Sequence, residues 1–447
     1  MHNDRKKLTL LGLFALAISG MAPTDSLAYT TAATTKFAGY NIPVSFLLGG
    51  LGILCVAVCF AAMAKYIAGA GSVYAYNRKA FGEKGGFITG WILILAYVAI
   101  MPAHAGLVGN FANVFLKHFG LHISNRILPF ILILIIWIIL SLGIRFTSKI
   151  ALVTELVSLL ILLILSVTIF VKVSAAGNLT LKPFMPKHNN WSGIGQGTVF
   201  AVLSYSGFEE ICSVSEKSNV PKKTIPKALL WTVVLAPIFF VFVTFIQVNG
   251  FGLGNMSEFA NSASPLDALS VKYLGQPMAM VMDFAILLSA FSAFLGCGNA
   301  CAYMLYAYSE QHYLPHQLSK LSHKFNGPEN AFTFTAILTA VIYAIFGLPY
   351  GYRTVYINAS TLGTLGMLIT YIMICIGCST FFAKNKKYSH SAFHMIIGIL
   401  GALILVFPFI SNVYPIPKFP ANLYPYLIVA WIIIGFVMQH HSQKAIR

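Results

Sequence analysis

Long, uninterrupted apolar runs recur along this sequence and constrain its fold more than any other feature. A helix needs about 20 apolar residues to cross the hydrocarbon layer of a membrane. Runs such as residues 131–140 show no alternation of polar and apolar residues, which excludes the strands of a membrane barrel. We therefore predict an all-α polytopic membrane protein with about twelve transmembrane helices, near residues 10–35, 42–63, 87–115, 127–146, 149–172, 192–214, 226–249, 277–306, 331–348, 355–382, 393–411 and 423–440.

The composition supports the membrane class and argues against a soluble one. Hydrophobic residues make up 58% of the 447 residues, and charged residues make up only 9%. Soluble domains carry about 25% charged residues, and so few polar side chains could not cover a water-exposed surface. The net charge of +17 would suggest nucleic acid in a soluble protein. Here the basic residues lie between apolar runs, so we predict the lipid bilayer and no nucleic acid as partner.

The basic residues also predict the orientation of the chain, because cytoplasmic loops are enriched in lysine and arginine. If the N-terminus is cytoplasmic and the spans alternate, 20 of the 29 lysines and arginines fall on the cytoplasmic side. We therefore predict that both termini are cytoplasmic and that the first apolar run is a span rather than a cleaved signal peptide. The compact loops favour a bacterial inner (plasma) membrane.

The sequence lacks the motifs of the common membrane-associated enzymes. It contains no G-x-x-x-x-G-K-[ST] phosphate loop, no H-E-x-x-H metal motif and no G-x-S-x-G nucleophile motif. The seven cysteines fall inside apolar runs, where no histidine or carboxylate completes a four-ligand metal set, so we interpret them as packing residues. We predict one membrane domain over residues 1–447, no enzymatic activity and no cofactor beyond a coupling ion, a proton or sodium.

Two of the predicted spans are interrupted at mid-membrane. The first contains ISGMAPTDS at residues 18–26, and the sixth contains LSYSGFEE at residues 203–210. A break frees backbone N–H and C=O groups that lipid cannot satisfy, and these groups suit the carboxylate and ammonium of a zwitterion. Because Gly20 and Gly207 occupy similar places in two halves, we predict inverted five-helix repeats over about residues 8–175 and 190–385, with two peripheral helices at about 390–441.

Four stretches resemble the amino acid–polyamine–organocation superfamily of permeases. They are SGMAPT at residues 19–24, AGAGSVYAY at 68–76 with GFITGW at 86–91, SGFE at 206–209 with Glu216, Pro221, Ile225, Pro226 and Ala228, and Leu314-Pro315. The resemblance implies a LeuT-type core of ten helices plus two peripheral ones. It also implies alternating-access transport of an amino acid or amine, as a symporter or exchanger.

The resemblance and the two breaks together give a set of substrate-binding candidates. The N–H groups of Ser19 and Gly20 would bind a substrate carboxylate, and carbonyls around Ile18, Ser204 and Tyr205 would hold the amine. The full predicted set is Ile18, Ser19, Gly20, Met21, Ala22, Tyr97, Phe200, Ser204, Tyr205 and Gly207.

Coupling and gating candidates come from polar residues inside the spans, since charges are costly there. Many superfamily members carry a lysine in span five, where this chain has Ser158 with Glu155 one turn earlier. Ser289 and Ser292 are possible oxygen ligands for sodium. The predicted set is Asp25, Glu155, Ser158, Glu209, Ser289 and Ser292.

The substrate class stays open at the level of sequence. Polyamine-type relatives tend to carry an acidic residue before a tyrosine in span three, whereas this chain has Ala96 before Tyr97. We therefore favour an amino acid over a diamine and keep an amine or polyamine transporter as the alternative. A channel lacks a filter-like loop here, an intramembrane enzyme lacks its motifs, and a non-transporting sensor is not excluded.

Overall fold

The computed structural model describes residues 9–67, 72–121, 123–124, 126–186, 190–213, 220–262, 264–322, 327–385, 388 and 390–446. Within these ranges the regular structure is helical. The helices are α1 (Leu10–Met21), α2 (Pro23–Ala38), α3 (Ile42–Tyr66), α4 (Ser72–Lys117), α5 (Leu128–Ser141), α6 (Ile144–Ala175), α7 (Trp191–Tyr205), α8 (Glu210–Ser213), α9 (Pro221–Phe251), α10 (Met256–Asn261), α11 (Pro265–Leu274), α12 (Gln276–Glu310), α13 (Glu329–Tyr350), α14 (Tyr352–Lys384), α15 (Ser391–Val413) and α16 (Tyr424–Ile446).

The prediction of an all-helical membrane protein is confirmed. In the described ranges, nine stretches are long and apolar enough to cross a membrane, and α5 is a shorter apolar helix. The stretch Leu10–Tyr66 contains both α1–α2 and α3. Two resemblance segments, residues 68–71 and Glu216, lie outside the described residues.

The outer helices present apolar side chains to their surroundings. Leu160 on α6, Ile337 on α13 and Leu403 on α15 are each about 60% exposed. Such a surface would aggregate in water but matches lipid tails. Burial therefore concentrates at the inner helices, where polar groups are enclosed by protein.

The broken helices lie among α4, α12 and α14. Helix α2 packs against α7, α14 packs against α4, and α12 packs against α4 and α6. The peripheral helix α16 joins this group through Trp91 and Trp431, whose rings stack at 4.4 Å. Each indole N–H donates to the backbone carbonyl of the other tryptophan at 2.8 Å. This paired contact holds α16 against α4.

Helix α4 bends at Gly82, whose φ of 83° suits a residue without a side chain. Glu83 follows the bend and accepts hydrogen bonds from Tyr74 at 2.6 Å and Tyr313 at 2.5 Å. Arg78 forms an ion pair with the same carboxylate at 2.6 Å. These contacts fix the end of α4 that precedes its membrane-crossing part.

Candidate functional site

The first break lies between α1 and α2, at Ala22. This residue adopts the left-handed conformation, with φ 41° and ψ 66°, and its N–H still donates to the Ile18 carbonyl at 3.0 Å. Pro23 then opens α2 without an N–H group to satisfy. The chain therefore changes direction after Met21, and Ser19 and Gly20 lie in the last turn of α1. The unpaired backbone groups at that end of a helix are carbonyls, so the structure does not present the Ser19 and Gly20 N–H groups to a carboxylate.

The second break separates α7 from α8 and consists of residues 206–209. Gly207 has a φ of +104°, which strongly favours glycine. Its N–H donates to Oε2 of Glu209 at 3.0 Å, and the Ser206 N–H donates to the Leu203 carbonyl at 3.1 Å. The turn therefore satisfies two of its own backbone donors.

The two breaks touch through their glycines. A Cβ atom on Gly20 would lie 2.7 Å from the Gly207 carbonyl oxygen and 2.7 Å from Oε2 of Glu210. A Cβ on Gly207 would in turn collide with the backbone of Gly20. Any side chain at either position would separate the breaks or displace Glu210, so glycine is required for this approach.

A small cavity of about 40 Å³ lies beside this contact. Five segments line it: the first break and α2, α4, the second break, α12 and α14. The lining residues are Gly20, Met21, Ala22, Asp25, Ser26, Thr30, Tyr97, Ile100, His104, Leu203, Ser206, Gly207, Glu210, Ala293, Cys297, Tyr356, Ser360 and Met367.

The predicted substrate-binding residues divide into two groups. Gly20, Met21, Ala22, Tyr97 and Gly207 line the cavity, as does the coupling candidate Asp25. The remaining five are not among its lining residues: Ile18, Ser19, Phe200, Ser204 and Tyr205.

Four of these five make contacts that explain their placement. The Ser19 hydroxyl donates to the Ala15 carbonyl of its own helix at 2.8 Å. Ser204 hydrogen-bonds to Thr30 at 2.8 Å and so ties α7 to α2. Tyr205 is fully buried and donates to the Phe46 carbonyl at 3.0 Å. Phe200 stacks on Phe37 with 5.9 Å between ring centroids.

Glu209, a predicted gating or coupling residue, is held by three donors. Its Oε1 accepts from the Tyr97 hydroxyl at 3.1 Å, and its Oε2 accepts from the Tyr371 hydroxyl at 2.8 Å and from the Gly207 N–H at 3.0 Å. Only 2% of the side chain is exposed. Glu209 therefore links the second break to α4 and α14.

The other coupling candidates cluster behind the first break. The Ser289 hydroxyl accepts from the Asp25 N–H at 3.1 Å and donates to Oε1 of Glu155 at 3.1 Å. Ser158 lies 3.3 Å from the same carboxylate oxygen and accepts from the Thr24 hydroxyl at 3.2 Å. Both acids are buried, and the described residues offer no hydrogen-bond partner to Oδ1 of Asp25 or Oε2 of Glu155.

The hydroxyls predicted as sodium ligands already have protein partners. Ser292 donates to the Ala151 carbonyl at 3.2 Å, one turn along α12 from Ser289. Among the described residues, no three or more His, Cys, Asp or Glu side chains group as metal ligands.

Sequence reasoning missed several lining residues. Glu210 directly follows Glu209 in the second break, and its polar character in an apolar stretch was a usable signal. Tyr356, Ser360 and Met367 lie on α14, a span with no break or intramembrane charge. Without a break or a charge on α14, nothing in the sequence distinguished its cavity-facing side.

Comparison with known proteins identifies the family. The sequence profile of the family described as amino acid permease matches residues 8–437. The branched-chain amino acid permease BcaP of Lactococcus lactis is 26% identical over 90% of this chain and 88% of that protein.

Two further relatives are named for other transported compounds. The methylthioribose transporter of Bacillus subtilis is 26% identical over 82% of this chain and 79% of that protein. Cationic amino acid transporter 7 of Arabidopsis thaliana, a chloroplastic protein, is 26% identical over 81% of this chain and 63% of that protein. With a family match over nearly its whole length and two touching helix breaks beside a buried cavity, this multi-pass membrane protein belongs to the amino acid permease family.

Proposed function

We propose that this chain is a secondary active transporter that moves an amino acid across the bacterial plasma membrane by alternating access. The observation that supports it most is the cavity at the contact of the two breaks, Gly20 with Gly207. Discontinuous helices near the membrane midplane are where transporters of inverted-repeat architecture bind their substrates.

The polarity of the first break fits an amino group. Helix α1 ends at the cavity with Met21, so the negative end of its dipole faces the substrate. Tyr97 and Ser206 add hydroxyl groups to the lining. The family membership and the relatives named for branched-chain amino acids support an amino acid as the transported species.

The test is counterflow in liposomes that contain the purified full chain. Vesicles loaded with one unlabelled amino acid should accumulate the same labelled amino acid without any ion gradient. A proton gradient or a sodium gradient is then imposed separately, and the one that drives net uptake is the coupling gradient. Counterflow without net uptake under either gradient would identify an exchanger.

A matched pair of variants ties the activity to the cavity. Ser360→Trp fills the cavity from α14 and should abolish counterflow. Ile357→Trp lies nearly one turn earlier on α14, where the side chain is 38% exposed, and should leave counterflow intact. If folded, monodisperse wild-type protein transports no amino acid and no amine, the proposed function is wrong.

A further inference from the structure

Two carboxyl groups distinguish the lining of the cavity. Among its described lining residues, the acidic side chains are Asp25 and Glu210, and His104 contributes an imidazole. Neither lysine nor arginine is among those lining residues. An ammonium group of a substrate would therefore meet carboxyl groups, and no lysine or arginine, among these residues.

Asp25 is the acid best placed to bind a ligand. Its side chain lines the cavity with only 4% exposure, and Oδ1 finds no hydrogen-bond partner among the described residues. Tyr356 also lines the cavity and packs edge-on against Tyr29 at 4.2 Å between ring centroids. A carboxylate beside an aromatic ring is a favourable setting for an organic cation.

A second unsatisfied acid lies behind Asp25. Glu155 is 1% exposed and reaches Asp25 through the Ser289 hydroxyl, which contacts both residues at 3.1 Å. Its Oε2 also lacks a partner in the described part of the chain.

Neither acid has a cationic partner in the described ranges. The ion pairs present there are Arg78 with Glu83 and His118 with Asp283. Arg353 lies beside Tyr29, and it forms no salt bridge with Asp25 in the described part of the chain. Buried carboxylates without a counter-ion are rare, because no interaction offsets the free energy that a charged group loses when it leaves water.

We infer that the missing cation is supplied by the substrate: Asp25 forms a subsite for an organic ammonium group beyond the α-amino group, so the chain prefers cationic amino acids or diamines over neutral amino acids. This inference rests on the proposed function. It narrows the substrate to a chemical class and gives Asp25 the role of counter-ion, with Glu155 as a second carboxyl group behind Ser289.

Three ligands of nearly equal length test the subsite: lysine, norleucine and cadaverine. Norleucine is lysine without its side-chain ammonium, and cadaverine is lysine without its carboxylate. Binding is measured by calorimetry on the detergent-purified full chain. Wild-type protein should bind lysine at least about tenfold more tightly than norleucine, because one buried charge pair is worth that much or more.

Variants at Asp25 assign the preference to this residue. Asp25→Asn should lose the lysine-over-norleucine preference while norleucine affinity changes less than about threefold, and Asp25→Glu should retain the preference. Asp283→Asn is the control, because it removes another buried acid on α12 that does not line the cavity.

The outcomes separate the inference from the proposed function. Cadaverine binding as tight as that of lysine supports the subsite and identifies diamines as the substrate class, whereas lysine alone identifies cationic amino acids. Norleucine binding equal to or tighter than that of lysine overturns the inference and leaves amino acid transport standing. If folded protein binds none of the three, and no amino acid or amine gives counterflow, the proposed function itself fails.

Discussion

Glu209 and Asp25 are buried acids, one at each helix break, and they differ in how many hydrogen bonds the protein makes to their side chains. Glu209 at the second break accepts three hydrogen bonds, from Tyr97, Tyr371 and the Gly207 N–H. Asp25 at the first break has an oxygen that no described residue contacts by a hydrogen bond, and it lines the cavity. Buried polar groups are normally paired within the protein. For this reason we assign Glu209 a structural role and propose Asp25 as the acid that contacts a ligand.

The same contrast appears in the backbone of the two breaks. The first break is compact, since one left-handed alanine joins α1 directly to α2. The second spans residues 206–209 and depends on Gly207 for its close approach to Gly20. The position of the first break therefore depends on the packing of the second.

The largest expected effect comes from breaking that contact. Gly207→Ala adds a Cβ against the Gly20 backbone at a φ that disfavours side chains. Overpacking and backbone strain together should cost on the order of 2–5 kcal/mol of stability and abolish transport. Thermal unfolding in detergent and counterflow measure both effects.

Gly351→Ala is the matched control for that substitution. Gly351 also has a positive φ, +79°, but no atom lies within 4 Å of a Cβ placed there. The Gly351→Ala variant should lose only the stability that backbone strain costs, and it should still transport. Equal losses in the two variants would mean that the contact between the breaks is unimportant.

A medium effect should distinguish the two acids directly. Glu209→Gln places an amide N–H₂ opposite hydroxyl and backbone donors, which leaves a buried donor unsatisfied and should cost about 1–3 kcal/mol. Asp25→Asn removes an acid without resident partners and should change stability by less than about 1 kcal/mol or increase it. The apparent melting temperature of each ligand-free variant measures these changes in stability. If Asp25→Asn is the more damaging of the two, Asp25 has a structural role instead.

The smallest effect concerns an acid outside the membrane-spanning helices. Burial, with the negative charge of Asp283 nearby, raises the pKa of Asp267 on α11 from 3.8 to about 6, although His118 acts in the opposite direction. The folded state thus binds its proton more tightly than the unfolded state does, so this group lowers stability as pH rises from about 4 to 6.

Asp267→Asn should flatten that part of the pH profile of thermal unfolding. Because Asp267 is only partly buried, solvent screening should keep the effect below about 1 kcal/mol. Glu258→Gln, at an exposed acid on α10, is the control that should leave the profile unchanged. An identical profile in wild type and Asp267→Asn would contradict the assignment.

The sequence was sufficient for the helices and the two breaks but not for the directions of side chains. Apolar runs of about 20 residues have one structural solution in lipid, and Gly and Pro mark where it is interrupted. At the start of the second break, however, Tyr205 at the end of α7 points into the core, while the next residue, Ser206, lines the cavity. Glu210 lines the cavity, whereas the adjacent Glu209 does not. The turn here is not helical, so no helical periodicity predicts the direction of either side chain.

Two predictions stay predictions. The inverted-repeat boundaries follow from the matching breaks, and the cytoplasmic position of both termini follows from the basic residues. The packing of the helices tests neither prediction. The prediction of membership in the permease superfamily, by contrast, rested on short motifs and is confirmed over nearly the whole chain.

The cysteine on the cavity wall gives this protein a built-in chemical reporter. Cys297 lines the cavity, yet only 4% of its surface is exposed and its thiol is not in a disulfide. A mercurial or a small maleimide can reach its sulfur only when the surrounding helices separate. Under the proposed alternating-access mechanism, the rate of Cys297 labelling measures how often the pathway opens, and a bound substrate should slow it by shielding the thiol.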